Sequence, residues 1–379
     1  MRILKILNSN DDGGVLTCEV QFIRQFQRQG VIVDAIILGK GNSFDRYADI
    51  VNVVVESPVL DTKFSGGFFN TVKNIWMSYL FGKNKSKIIT GNLAKKKYDA
   101  LIYRRANLLF FAGIVGKKLG IRNVYWHMPN IVSGTFSYLF YNLFLRIFHI
   151  KPVANSMFTK NTIGKLCKSV IYPGFDPDRI KIDKINNGNN IRSRLGIPED
   201  VGVYGVLARV TPDKAQDIVT EAFIKSKIIN DGGCLVIAGG LNDHKYVDKI
   251  KEIAGEYLNK NIFLIGQINE VGDFYNAVDV IVNGRRNAEP FGISIAESLG
   301  CGKPILAYYL GGPSEMIIDG KGGWLVYEPT VDKFTTAFNR SYMDRLSWEL
   351  MGVNNKNISS KFSVETNVQN FIDLINTHN

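Results

Sequence analysis

Twice along the chain, short apolar runs give way to glycine-containing turns and then to amphipathic segments. That alternation limits the fold more than any other feature. In the first half RILKIL is a strand, DDGG a turn and CEVQFIRQFQRQG a helix closed by Gly30, with VIVDAIIL as the next strand. YDALIYR, NVYWHM and KPVAN read as further buried strands, and LLFFAGIVGKKLG as a helix between two of them. The second half restarts with VGVYGVLAR, DIVTEAFIKSKI and CLVIAGG, then NIFLIG, DVIVNG and KPILAYYL. Strand–loop–helix repetition of this kind predicts parallel sheets with crossover helices. The polar, Asn-rich stretch 178–200 between the halves reads as a connection. Two α/β domains are therefore expected. The last helices, 331–353 and 362–376, could return to the first, which spacing does not decide.

Composition narrows the class. With 379 residues, 45% hydrophobic and 21% charged, the chain is long enough for two globular domains. Cys18, Cys167, Cys234 and Cys301 form no C-x-x-C pair and the four histidines do not cluster, which argues against zinc and a disulfide framework. A reducing, cytoplasmic setting is expected. The opening MRILKILNSN is apolar over too short a span for a signal peptide, and no uncharged apolar run reaches 18 residues. The net charge of +11 points to anionic partners. Nucleic acid is the weakest choice, because no helix-turn-helix, zinc-finger or RNP signature is present. Residues 63–87 interleave Phe64, Phe68, Phe69, Trp76, Tyr79 and Phe81 with lysines, and 136–150 is dense in aromatics. Either could lie in an anionic lipid interface, and 136–150 could equally be core.

The densest chemistry lies in AEPFGISIAESLGCG, residues 288–302, where Glu289 and Glu297 flank a Phe-Gly turn opening a short helix. The amides of Phe291, Gly292 and Ile293 fall at a helix start, which attracts anions. Carboxylates beside them can accept hydrogen bonds from sugar or ribose hydroxyls. Spacing alone would equally suit two solvated glutamates. Other elements line up with it. Gly13-Gly14 follows the first strand, where amides can approach a phosphate closely. His127 ends a strand and could meet a sugar hydroxyl. Arg209 and Lys214 follow the first strand of the second half, placed to stabilise charge developing on a diphosphate.

Taken in order, these elements resemble the retaining glycosyltransferases of family 4. The matching pieces are the Gly13-Gly14 loop, His127, NSMFTKN at 155–161, YPGFD at 172–176, Arg209 with Lys214, EPFGISIAE at 289–297 and GGPSEMIIDGKGGWLV at 311–326. The resemblance implies a GT-B fold: two Rossmann-like domains facing a central cleft. Residues 1–175 would bind acceptor, with a helix at about 360–379 packing back on them, and residues 176–358 would bind the nucleotide sugar. Gly13 and Gly14 would meet the donor phosphates and Arg209 with Lys214 the diphosphate. Glu289 would take hydroxyls of the transferred sugar, with Pro290, Phe291, Gly292 and Ile293 lining the donor. Glu297 would hold the ribose, and His127 would contact the sugar near the reacting carbon.

The expected activity is retaining transfer of a hexose from a UDP- or GDP-sugar to a glycan or lipid-linked hydroxyl, in surface polysaccharide or glycolipid assembly. No metal or other cofactor is expected, and the protein would sit peripherally on the inner face of a membrane. The alternatives are a sugar-nucleotide epimerase, a phosphorylase, or a sugar-binding protein without turnover. Two departures from the family pattern stand out: Ala208 replaces the usual Gly before Arg209, and Asn283-Gly284-Arg285-Arg286 replaces a common Pro-Ser.

Overall fold

A computed structural model describes residues 1–60, 68–181 and 191–378. The chain divides into two compact units, residues 1–173 with 364–379, and residues 174–363. The boundaries thus fall at 173/174 and 363/364, against the expected 175/176 and 358. The expected linker lies partly outside the described residues, at 182–190.

The first unit is a seven-stranded parallel sheet: β1 Arg2–Asn8, β2 Ile32–Leu38, β3 Val53–Ser57, β4 Ala100–Tyr103, β5 Val124–Met128, β6 Ile150–Ala154 and β7 Ser169–Val170. Its order is β3-β2-β1-β4-β5-β6-β7, with Ile3 paired to Val33 on one side and to Ala100 on the other. Covered on both faces, these strands read as nearly continuous apolar runs. Lys5 breaks the pattern. It lies in the middle of β1 at 1% exposure, meeting Glu19 of the helix Gly13–Arg28.

The helix Val364–Asn376 belongs to this unit for a packing reason. Val364, Val368, Phe371 and Ile375 lie on one stripe, and all are buried in the same cluster as Phe22 and Phe26. Phe371 meets Phe26 and Tyr125 edge-on, and Asn367 Oδ1 accepts from the Tyr172 amide at 2.9 Å. Each such side chain contributes roughly 1.5–3 kcal/mol.

The second unit holds six parallel strands: β8 Val203–Leu207, β9 Cys234–Ala238, β10 Ile262–Gly266, β11 Val280–Asn283, β12 Ile305–Tyr308 and β13 Gly323–Val326, in the order β10-β9-β8-β11-β12-β13. In both sheets the order reverses at the first strand of the unit, between β1 and β4 and between β8 and β11. Chains leaving two neighbouring strands in opposite directions open a crevice at their carboxyl ends, where open α/β sheets bind ligands.

Of the two segments with lipid-interface character, residues 63–67 lie outside the described residues, as do the side chains of Phe68 and Phe69. The helix Phe68–Leu93 exposes Trp76 and Met77, with Tyr79 and Leu80 at the threshold of exposure. The helix Thr135–Ile147 buries Tyr141 and Leu145 and exposes Phe136, Leu139, Leu143 and Ile147 on its other side. Among the described residues no helix is long and apolar enough to cross a membrane.

Candidate donor site

Charged side chains gather at the reversal point of the second sheet. After β8 the chain carries Arg209, then the short turn Pro212–Lys214; after β11 it carries Arg285, Arg286 and Glu289. These two loops meet. Lys214 Nζ donates to Glu289 Oε2 at 2.9 Å, both side chains mostly buried. Arg209 is exposed on the same loop, and its carbonyl accepts from Gln216 Nε2 at 2.8 Å. Glu289 stands three residues before Gly292, which caps the helix Ile293–Gly300 with φ +93°. Any helix leaves its first-turn amides without intrahelical partners, so an anion-attracting tip lies beside the cation–acid pair.

A third loop fixes the acid. The Glu289 amide donates to Leu310 O at 2.9 Å, and Glu289 O accepts from the Gly312 amide at 2.8 Å. The backbones touch so closely that a Cβ on Gly311, whose φ is +109°, would stand 2.1 Å from Glu289 O. This close approach ties the Gly-Gly-Pro segment to the E-x7-E segment. Gly311→Ala will displace the Glu289 backbone as well as strain its own, a cost of about 1–3 kcal/mol from φ alone. We expect calorimetry to find nucleotide-sugar binding lost in that variant, and unaltered binding would show that the loops can separate.

Glu297 lies deeper than Glu289. It is 1% exposed, with Arg179 on Oε1 and the Tyr275 hydroxyl donating to Oε2 at 2.7 Å. Burial drives its carboxyl pKa up, with Arg179 and Tyr275 opposing. Each oxygen thus has one partner, Arg179 on one side and Tyr275 on the other. Phe291 is buried, Pro290 and Ile293 are half-buried, and all sit on the described loop and helix start.

The remaining expected residues belong to the first unit. Gly13 and Gly14 are exposed at the start of their helix, at the β1/β4 reversal. Their loop is held by Asp11, which accepts from Arg105 Nη2 at 2.6 Å and the Tyr47 hydroxyl at 3.1 Å. His127 is corrected from a ligand-facing residue to an interior one. It is 1% exposed, its Nε2 lies 2.8 Å from Ile171 O, and its ring packs between Phe22 and Phe371. It lies on the sheet face covered by the helices Gly13–Arg28 and Val364–Asn376.

Burial, with Arg104 and Lys5 nearby, holds the His127 pKa well below its usual 6.5. The unfolded chain then takes up a proton that the folded one refuses, so this contribution to stability is lost as pH falls below 6.5. We expect His127→Gln to flatten the fall of the melting temperature between pH 7 and 5. A variant as pH-sensitive as the parent would show that other groups set that slope.

Residues 187–357 match the family described as glycosyl transferases group 1. The matched region contains Arg209, Lys214, Glu289 and Glu297, and ends before the helix Val364–Asn376. Similar proteins include the lipopolysaccharide 1,2-N-acetylglucosaminetransferase of Salmonella typhimurium, 28% identical over 54% of this chain and 55% of that protein. Another is the alpha-1,3/1,6-mannosyltransferase ALG2 of Dictyostelium discoideum, 36% identical over 37% of this chain and 35% of that protein. The chain thus spans about half or less of the length of these relatives. Among solved structures, Anabaena HepE in complex with UDP and glucose matches over 100% of both chains with TM-score 0.79 and 20% identity. A Rickettsia africae glycosyltransferase matches with TM-score 0.80 and 18% identity over 99% of this chain and 97% of that one. The fold of this protein is α/β, of the GT-B class.

Sequence reasoning passed over Arg179, Tyr275 and Arg105. Only Arg105 had a legible signal, a charged pair immediately after a buried strand.

Proposed function

We propose that the protein moves a hexosyl group from a UDP- or GDP-sugar to a hydroxyl of a glycan or lipid-linked acceptor, with retained anomeric configuration. The observation that carries this reading is Lys214 Nζ at 2.9 Å from Glu289 Oε2, at the sheet's reversal point and beside a helix tip. A cation there stabilises the diphosphate as it leaves, and a fixed carboxylate there accepts hydrogen bonds from sugar hydroxyls. The bond from the anomeric carbon to the diphosphate breaks while the acceptor oxygen attacks the same face. The acceptor's proton passes to the departing phosphate oxygen. Arg209 and Lys214 supply the positive charge a metal provides elsewhere, so turnover should survive chelation. The names of the relatives, and the UDP and glucose of the HepE complex, favour a nucleotide-sugar donor.

A panel of UDP- and GDP-sugars, incubated with and without glycan and lipid acceptors and read by mass spectrometry, tests the reading. Transfer to an acceptor is expected. Conversion of donor with no acceptor would identify an epimerase, a requirement for inorganic phosphate a phosphorylase, and binding without turnover a sugar-binding protein.

The acceptor side suits a membrane. Trp76, Met77 and Leu80 stand beside exposed Lys73 and Lys83 on one helix, which fits peripheral docking to anionic lipid through 63–87. Sedimentation with phosphatidylserine-containing vesicles at low salt should carry the protein down. Failure to sediment would remove the membrane from this account.

A further inference from the structure

The Arg285-Arg286 pair stands where the family pattern commonly has Pro-Ser, and the reading of the donor site gives it no task. Its geometry is specific. Arg286 anchors the loop after β11 to the loop after β8. Its amide donates to Asp213 O at 3.2 Å, its Nη1 reaches Pro212 O, and its Nη2 grips both oxygens of Asp217 at 2.6 and 2.8 Å. Lys249 and the Tyr246 hydroxyl hold the same carboxylate, each at 2.7 Å. Gly284 permits the approach, since a Cβ there would stand 3.1 Å from Lys214 O.

Arg285 is turned the other way. Its Nη1 donates to Asp213 at 3.0 Å and its Nη2 to Ala288 O at 3.3 Å. Its Nε faces Glu289 Oε2 at 3.5 Å, the oxygen that Lys214 occupies, and this Nε is buried without a hydrogen bond. Two cations therefore converge on one carboxylate oxygen, and one of them is a spare donor.

Resting on the donor-site reading above, we propose that Arg285 is a positioning residue that takes over Glu289 when Lys214 turns to the diphosphate. A diphosphate beside Lys214 draws on the same single positive charge that balances Glu289. A carboxylate as buried as Glu289 would then be poorly balanced at the moment it must orient the sugar, and an uncompensated buried charge is costly. The idle Nε of Arg285 fills that gap by a small shift. Arg286 keeps the two loops in register while the exchange occurs.

The experiment compares Arg285→Met and Arg285→Lys with the parent enzyme, after nucleoside-diphosphate binding to the parent has been measured by calorimetry. In Arg285→Met, kcat/KM for the nucleotide sugar should fall about ten- to hundredfold, the range for losing a hydrogen bond to a charged group. UDP or GDP affinity should change far less. Arg285→Lys keeps a cation beside Glu289 but cannot reproduce the fork to Asp213 and Ala288. It should recover most of the lost activity. Unchanged activity in Arg285→Met overturns the proposal. So do equal losses in both variants with matching drops in melting temperature, which would make Arg285 a structural fork. A parent protein that binds no nucleotide and turns over no sugar overturns the donor-site reading itself, and the inference with it.

Discussion

Lys214→Ala will lower turnover by about a hundredfold, the loss typical of removing one group aimed at developing charge, or about 2.7 kcal/mol of barrier. Lys214 is the cation that the fold delivers to the corner where β8 and β11 part, in contact with Glu289. Charge on the diphosphate grows as its bond to the sugar breaks, so a fixed cation favours the transition state over the bound donor. The loss should therefore fall on kcat more than on KM. Folding should survive, because Arg285 remains beside Glu289 and the Leu310 and Gly312 backbone bonds to Glu289 do not involve Lys214. Steady-state kinetics on the first donor found to turn over will check it. Near-parental kcat would move the diphosphate away from Lys214 and take the proposed mechanism with it.

Glu19→Ala will destabilise the first unit by about 3–5 kcal/mol, the cost of removing one partner from a buried ion pair. Lys5, Glu19 and Arg104 are all nearly excluded from water: Lys5 Nζ meets Glu19 Oε2, and Arg104 Nε lies 3.3 Å from Oε1. Removing the carboxylate strands two cations in the interior. Burial pushes the Glu19 carboxyl up, but Lys5 and Arg104 outweigh it and leave the pKa below the ordinary 4.5. A folded-state value below the unfolded one means the triad's contribution is complete above pH 4.5. It disappears as pH falls through the folded value. Urea titration followed by hydrogen exchange in β1 and β4 peptides will measure the shift. Lys5→Met with Glu19→Leu and Arg104→Met should restore much of it, since apolar replacement removes all three charges together. A loss under about 1 kcal/mol for Glu19→Ala would mean that water reaches the cluster.

The two halves were legible because parallel strands covered on both faces must be apolar throughout, and RILKIL, VIVDAIIL, CLVIAGG and DVIVNG are nearly so. The loops that carry chemistry were legible for a related reason. Glycine and proline punctuate where strands end, and ligands gather at strand carboxyl ends. The placing of Arg209, Lys214 and Glu289 in loops after strands could thus be read from order alone.

What the chain's own order could not set is who meets whom. Whether Lys214 faces Glu289 depends on β8 lying next to β11, a pairing between residues about 75 positions apart that no local pattern encodes. The same limit hid the Arg179–Glu297 contact, the interior setting of His127 and the Lys5–Glu19–Arg104 triad. It also left open the return of the helix Val364–Asn376 to the first sheet, because an amphipathic stripe announces that it must be buried but not against which partner. Local sequence determines each element and its buried face through short-range sterics and periodicity. Tertiary structure alone decides which charges become neighbours, because that follows from the order of strands in the sheet.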